Sequence, residues 1–313
     1  MNYDVIICVG WNDLTIVKKT VEYVRKNLNG DKIYLIVNSF FFPCFSSSFL
    51  EKFKVVLLDE DQLIPDVSYK QNREFISKNR PGFSPGWYFQ QFLKMAFSQS
   101  KYAGDNYLIW DADTLPLSKI QFEENGKILF TAKKEYHEEY FITINKLLGL
   151  QKIKDFSFIA EHMLIKTDIM KEIISKISEA SAEPWPFTVL KTVRPEAKGG
   201  FSEFETYGTY VSSFYPELYT ERTLNTWRNA GAIFGRAIND KYIAYLSEDL
   251  DIISLESWSG LFFFANIRAK AQELYLKYLR YKYLRHNKVA VSCKQRFQQL
   301  GNMFGRGKFV KFK

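Results

Sequence analysis

The stretch Tyr107-Leu108-Ile109-Trp110-Asp111-Ala112-Asp113-Thr114-Leu115-Pro116 decides how this chain is read. Four apolar or aromatic residues run straight into two carboxylates one residue apart, the pattern of a buried strand that delivers acids to the edge of a sheet. Carboxylates so placed offer hard oxygen ligands to one cation, and Mg2+ or Mn2+ held there can bridge to phosphate oxygens. A departing diphosphate needs that charge compensation. An Asp-x-Asp triplet alone is a short motif met by chance, and the chain has two more, Asp59-Glu60-Asp61 and Asp249-Leu250-Asp251. Both read as solvated turns, whereas the apolar strand before and the Thr-Leu-Pro exit after single out Asp111 and Asp113.

Working outward, residues 5–9 form a short apolar run ending at Gly10, and residues 14–28 carry Ile16, Val17, Val21 and Val24 at helical spacing. Strands are expected at 33–37 and 54–58. Pro81, Gly82, Pro85 and Gly86 break the chain before a helix over 87–100, and the strand at 107–110 follows. Further strands are expected at 128–132 and 156–165, with a helix over 167–180. Strands alternating with helices predict an α/β fold with a mostly parallel central sheet flanked by helices, whose ligands bind at the strand C-termini.

With 46% hydrophobic and 25% charged residues, the 313-residue chain can bury a sizeable core. The aromatic share of 17% suits a core, a sugar-binding cleft or a membrane interface. Cys8, Cys44 and Cys293 are too few and too scattered for a disulfide framework or a four-thiolate metal site, which suits a reducing compartment. The opening MNYDVIICVG reads as a first strand and not a signal peptide. The longest apolar stretches, at 40–45 and 261–265, fall far short of the roughly 20 residues of a spanning helix. A cytoplasmic or peripheral location is expected.

The net charge of +8 is uneven. Residues 261–313 hold 13 Lys or Arg and one acid, Glu273, a net +12; the rest holds 30 basic and 34 acidic residues, a net −4. Two regions are therefore expected: residues 1–260 as the catalytic domain, and 261–313 as a basic helical tail. In the tail Ile267, Ala271, Leu274, Tyr278 and Tyr281 recur at spacings of four and three among Arg268, Lys270, Lys277, Arg280, Lys282 and Arg285. Such a surface suits the anionic inner face of a membrane. Packing against the catalytic domain with a solvated basic face is the plainer alternative, and nucleic acid is not the expected partner.

Four blocks, SPGWYFQQFLKMA (84–96), YLIWDADTLPL (107–117), SFIAEHMLIK (157–166) and GGFSEFETYGTYV (199–211), together resemble a bacterial GT-A glycosyltransferase-like family catalogued as a domain of unknown function. The resemblance spans roughly residues 1–235. It implies a Rossmann-like GT-A fold, a nucleotide-sugar donor with a UDP-sugar expected, Mn2+ or Mg2+, and a glycan or lipid-linked acceptor in surface-glycan synthesis such as lipopolysaccharide or capsule. Carried over residue by residue, it makes Asp113 the metal ligand and sets Asp111 on the ribose or the metal. Asp13 falls near the nucleotide base, with helix capping as its plainer role. Gln91 and Lys94 face the diphosphate, or else form a solvated helix face.

Glu203 and Glu205, after a Gly-Gly loop, are candidates for the base that deprotonates the acceptor hydroxyl. If Ser202 opens a helix, Glu205 becomes its N3 capping residue while Glu203 points into the cleft. His162 is either functional or a satisfied core histidine. His286, in the basic tail, is a poor candidate for a further metal ligand. Two rivals stand beside this reading. An aspartyl-nucleophile phosphatase of the haloacid-dehalogenase kind also places Asp-x-Asp after an apolar strand, although Thr114 and Leu115 depart from its usual order. A non-catalytic glycan- or membrane-binding protein on the same fold is the other.

Overall fold

Runs of apolar residues alternating with amphipathic segments build the elements in chain order: β1 (Asp4–Cys8), α1 (Val17–Asn27), β2 (Ile33–Val37), α2 (Ser47–Lys52), β3 (Val55–Asp59), α3 (Tyr69–Asn79), α4 (Pro85–Ala96) and β4 (Asn106–Trp110). There follow β5 (Thr114–Pro116), β6 (Glu123–Glu124), β7 (Lys127–Thr131), α5 (Glu138–Leu148), β8 (His162–Lys166), α6 (Thr167–Glu179), α7 (Trp185–Thr192) and α8 (Glu203–Phe214). The last are β9 (Tyr219–Arg222), β10 (Thr226–Trp227), α9 (Ala230–Phe234), α10 (Asp240–Leu246) and β11 (Ile252–Ser254). The computed structural model describes residues 1–179 and 181–256. The expected basic tail, 261–313, lies outside the described residues, as do 257–260 of the expected first domain.

The central sheet has the order β3-β2-β1-β4-β8. Its first four strands are parallel, and β8 runs antiparallel to β4 with His162 opposite Trp110. Every residue of β2 and of β4 is buried, as expected of strands covered on both faces. Helix α1 buries Val17, Val21 and Val24, and α4 buries Tyr88, Phe89, Phe92, Leu93 and Met95. This is the mostly parallel, helix-flanked α/β sheet that the sequence predicts.

Two small sheets shape the functional edge. One, β10-β11-β5, pairs β5 antiparallel with β11, so Ser254 returns opposite Thr114, next to the acidic pair. The other is β6-β7-β9. A separate apolar cluster of Ile16, Leu115, Leu117, Ala230, Ile238, Ile243, Ile253 and Leu255 fastens the segment from β10 to β11 onto β5 and the start of α1.

Some expectations need correction. The strand expected over 156–165 forms only from His162. The backbone N–H of Phe158 donates to Glu205 and Ser157 makes a single bridge with Lys133, so residues 157–158 are tied to α8 and to the segment just after β7 instead of β4. The helix expected over 87–100 ends at Ala96, with a tighter turn over Phe97–Gln99. The other two acidic triplets are bonded turns and not loosely solvated ones. Asp59 accepts from Ser39 and Asp61 N–H, Asp61 accepts from Tyr69 N–H, and Asp251 accepts from the Ser118 hydroxyl and Asn225 N–H.

Candidate functional site

The sheet edge beyond β4 is fixed first through its backbone. Asp111 N–H donates to the Glu161 carbonyl at 3.0 Å, and Thr114 N–H donates to the Asp111 carbonyl at 3.2 Å, closing a turn. Thr20 on α1 donates its hydroxyl to the Ala112 carbonyl at 2.6 Å, between the two acids. Leu255 N–H donates to the Asp113 carbonyl at 2.8 Å. Trp110 Nε1 donates to the Thr114 carbonyl. Buried backbone groups are thus paired, and the two carboxylates leave a rigid turn.

Their side chains meet opposite cations. Lys94 Nζ, on α4, lies 2.8 Å from both Asp111 Oδ1 and Glu203 Oε1, and it sits 4.7 Å from the centre of the Phe204 ring. Burial works against charge on this ammonium, but the two carboxylates outweigh it and hold Lys94 protonated, its pKa above the usual lysine range. Asp113 faces Arg236, whose Nη2 is 3.2 Å from Asp113 Oδ2 while its Nη1 is 2.7 Å from Asp13 Oδ1. Burial, and then repulsion from Asp13 and Asp111, push the Asp113 carboxyl up to about 7 despite Arg236. A third group adjoins: Arg228 binds Glu256 at 2.7 Å, contacts Glu135, and lies 3.7 Å from Glu161, which Lys133 approaches to 3.6 Å.

The predicted residues divide clearly. Asp13, Lys94, Asp111, Asp113 and Glu203 come together at this edge. Asp13 has two partners, since its Oδ2 accepts from Gly10 N–H and closes the loop after β1. Gln91 is buried and accepts from Glu203 N–H at 3.2 Å, capping the first turn of α8. Ser202 is the N-cap of α8 as expected, accepting from Glu205 N–H. The Glu205 side chain does not return to the cap. It is only 1% exposed and takes the Ser157 hydroxyl at 2.5 Å and Phe158 N–H at 3.2 Å. His162 is 3% exposed, stacks on Trp110, meets Phe122 edge-on and pairs through Nε2 with Thr131 Oγ1. Burial, with Arg222 and Lys133 nearby, depresses its pKa well below that of an ordinary histidine, so it is neutral.

Sequence reading missed Glu161, Arg228, Arg236 and Glu256. A charged residue inside the apolar block SFIAEHMLIK was the available sign for Glu161. Arg236 meets Asp113 across 123 residues of chain, and Arg228 meets Glu135 across 93 and Glu256 across 28, separations that leave no local spacing.

Among the described residues no three His, Cys, Asp or Glu side chains converge as a cation cage. Asp111 and Asp113 supply two carboxylates, the number Mg2+ commonly takes when phosphate oxygens and waters fill its other positions. The charge balance agrees. The linked acids Asp13, Asp111, Asp113, Glu135, Glu161, Glu203 and Glu256 outnumber the cations Lys94, Lys133, Arg228 and Arg236 by three, a surplus that a divalent ion would relieve. The donor set fits a divalent cation.

Fold and site define an α/β protein that gathers carboxylates at the C-terminal edge of a parallel sheet. Residues 14–231 match the Family of unknown function (DUF6492), and the chain belongs to that family. No curated protein matches it in sequence. Among solved structures it is similar to mouse xyloside xylosyltransferase 1, apo form, at 12% identity and a TM-score of 0.45 over 84% of this chain and 100% of that one. It is also similar to the galactosyltransferase LgtC in complex with donor and acceptor sugar analogs, at 12% identity and a TM-score of 0.36 over 83% and 88% of the two chains. For the bifunctional glycosyltransferase WbbM the values are 15% and 0.38, over 83% of this chain and 46% of that one.

Proposed function

We propose that this protein is a glycosyltransferase that moves a sugar from a nucleotide-sugar donor, a UDP-sugar in our reading, to a hydroxyl of a surface glycan or lipid-linked acceptor. A divalent cation, Mn2+ or Mg2+, would be held by Asp111 and Asp113, and when bound it offsets the charge of the departing diphosphate. The single observation that carries the reading is the acidic pair on a backbone-pinned turn at the C-terminal edge of a parallel sheet, in a cluster where acids outnumber bases.

Each residue then has a task. Lys94 holds Asp111 in place and, through Glu203, ties α4 to α8. Gln91 caps α8 and so fixes the backbone of Glu203. Glu203 is our candidate on the acceptor side. The Lys94 ammonium lies 2.8 Å from its carboxylate, so its first role is to position Lys94, and it reaches an acceptor only if that contact loosens. Glu205 and His162 support the loops behind the site. The basic segment 261–313 suits attachment to the cytoplasmic face of a membrane, where a lipid-linked acceptor would lie.

The test is a panel of nucleotide sugars with Mn2+, read as thermal stabilisation and then as donor hydrolysis or transfer. A ligand that binds only the folded chain raises its melting temperature, so one donor should stand out, and only with metal present. Stabilisation by none of them, with or without Mn2+, would overturn the reading.

A further inference from the structure

We infer that Arg236 is a displaceable counter-ion, a guanidinium that occupies the metal-facing acids when no donor is bound and yields them when cation and nucleotide arrive. The inference rests on the reading of Asp113 as a cation ligand. Two cations touch the acidic pair, and they are built differently. Lys94 is 5% exposed and enclosed between Asp111, Glu203 and the Phe204 ring, a fixed part of the fold. Arg236 stretches between carboxylates from two separate loops. Its Nη1 reaches Asp13 Oδ1 at 2.7 Å and the Asn12 carbonyl at 2.5 Å, its Nη2 reaches Asp113 Oδ2 at 3.2 Å, and its buried Nε has no partner.

That is not the two-point fork an arginine makes on one carboxylate, as Arg194 does on Glu139 in this same protein. A spanning contact with one donor left unmatched is the weaker mode, and it can open. The backbone also allows movement. Arg236 follows α9, a helix of five residues, through Gly235 at φ +61°, a conformation side chains rarely adopt and where a Cβ would meet nothing within 4 Å. The arm is hinged at a glycine beside open space.

The consequence follows from competition. Arg236 Nη2 already holds Asp113 Oδ2, so a divalent ion drawn to the same carboxylate competes with the guanidinium for that oxygen and is repelled by its charge. Whatever the guanidinium gains by holding Asp13 and Asp113 is taken from the affinity for metal alone, and binding of metal must in turn loosen Arg236 by the same factor. Once released beside the acids, its planar donors match the oxygens of a diphosphate. Metal without nucleotide should therefore bind weakly, and metal with nucleotide strongly.

The test titrates Mn2+ alone, by electron paramagnetic resonance of the free ion, into the intact chain and into Arg236→Gln, and repeats both with UDP. Arg236→Gln should bind Mn2+ alone on the order of tenfold more tightly than the unsubstituted chain, a shift of about 1.4 kcal/mol, and should lose a similar factor in UDP affinity at saturating Mn2+. Arg236→Lys keeps the charge but cannot span both carboxylates, and should lie between. Melting curves establish that each variant is folded, and if Arg236→Gln does not fold, Arg236→Lys carries the same comparison. If the unsubstituted chain binds Mn2+ with UDP, yet the folded variant binds Mn2+ alone no better, the counter-ion role is wrong while the metal site stands. If neither chain takes up Mn2+ even with UDP, both fall together.

Discussion

At the scale of single residues, the balance between Lys94 and its two carboxylates governs the site. Removing one member of a buried ion pair leaves the other charge unpaired, a loss of about 3–5 kcal/mol, whereas replacing several members together costs less. Lys94→Met should accordingly destabilise the protein by roughly 3 kcal/mol or more in urea unfolding, because Glu203 is 4% exposed and has no route to water. Adding Glu203→Gln to that variant should recover part of the loss, as residues in one network are not additive. An additive double variant would show that the contact between them stabilises nothing. Asp111 and Asp113 were legible because an apolar strand runs into them, and Glu203 because it follows a Gly-Gly loop, whereas Asp13 and Lys94 were singled out only through the family resemblance. Arg236 and Arg228 were not legible, because their significance comes only from partners 28 or more residues away.

At the scale of elements, α8 and β3 each make a testable claim. Helix α8 lies so close to the loop before β8 that a Cβ on Gly208 would fall 2.2 Å from the Phe158 ring. That closeness brings Glu205 to Ser157 and Glu203 to Lys94. Gly208→Ala should lower stability by about 1–3 kcal/mol through overpacking, despite the better helix propensity of alanine, measured by thermal melting. At the end of β3, burial pushes Glu60 up to about 7, with Asp61 and Asp59 adding repulsion against the bond from Asn38. The folded chain thus holds a proton there that the unfolded chain releases near 4.5. Stability from this group is complete below that value and is lost as pH rises through about 7. Glu60→Gln should raise the melting temperature at pH 8 and leave it almost unchanged at pH 4.5; a gain confined to acid would reverse the argument. The strands of the central sheet were legible because their apolar runs are continuous, whereas β5, β6 and β9–β11 are too short to carry that signal. The strand expected over 156–165 was cut short because Glu205, far along the chain, takes the N–H of Phe158.

At the scale of the whole molecule, the path of the chain explains what a linear reading could and could not find. The parallel sheet follows from alternating strands and helices, and it places the C-termini of its four parallel strands, and so the acids, along one edge. The return of β11 beside β5 is a non-local pairing of three residues, too short to carry a periodic signal, yet it brings Glu256 and, with the second apolar cluster, Arg236 over the acids. The central claim is that this edge binds a nucleotide through a cation held by Asp111 and Asp113. The most direct measurement is calorimetric titration of UDP, with Mn2+ and with chelator, into the intact chain and into folded Asp113→Asn. The account predicts binding to the intact chain that requires Mn2+ and falls at least about tenfold in the variant, roughly 1.4 kcal/mol. UDP binding of equal strength in all four titrations, or in none, would contradict it.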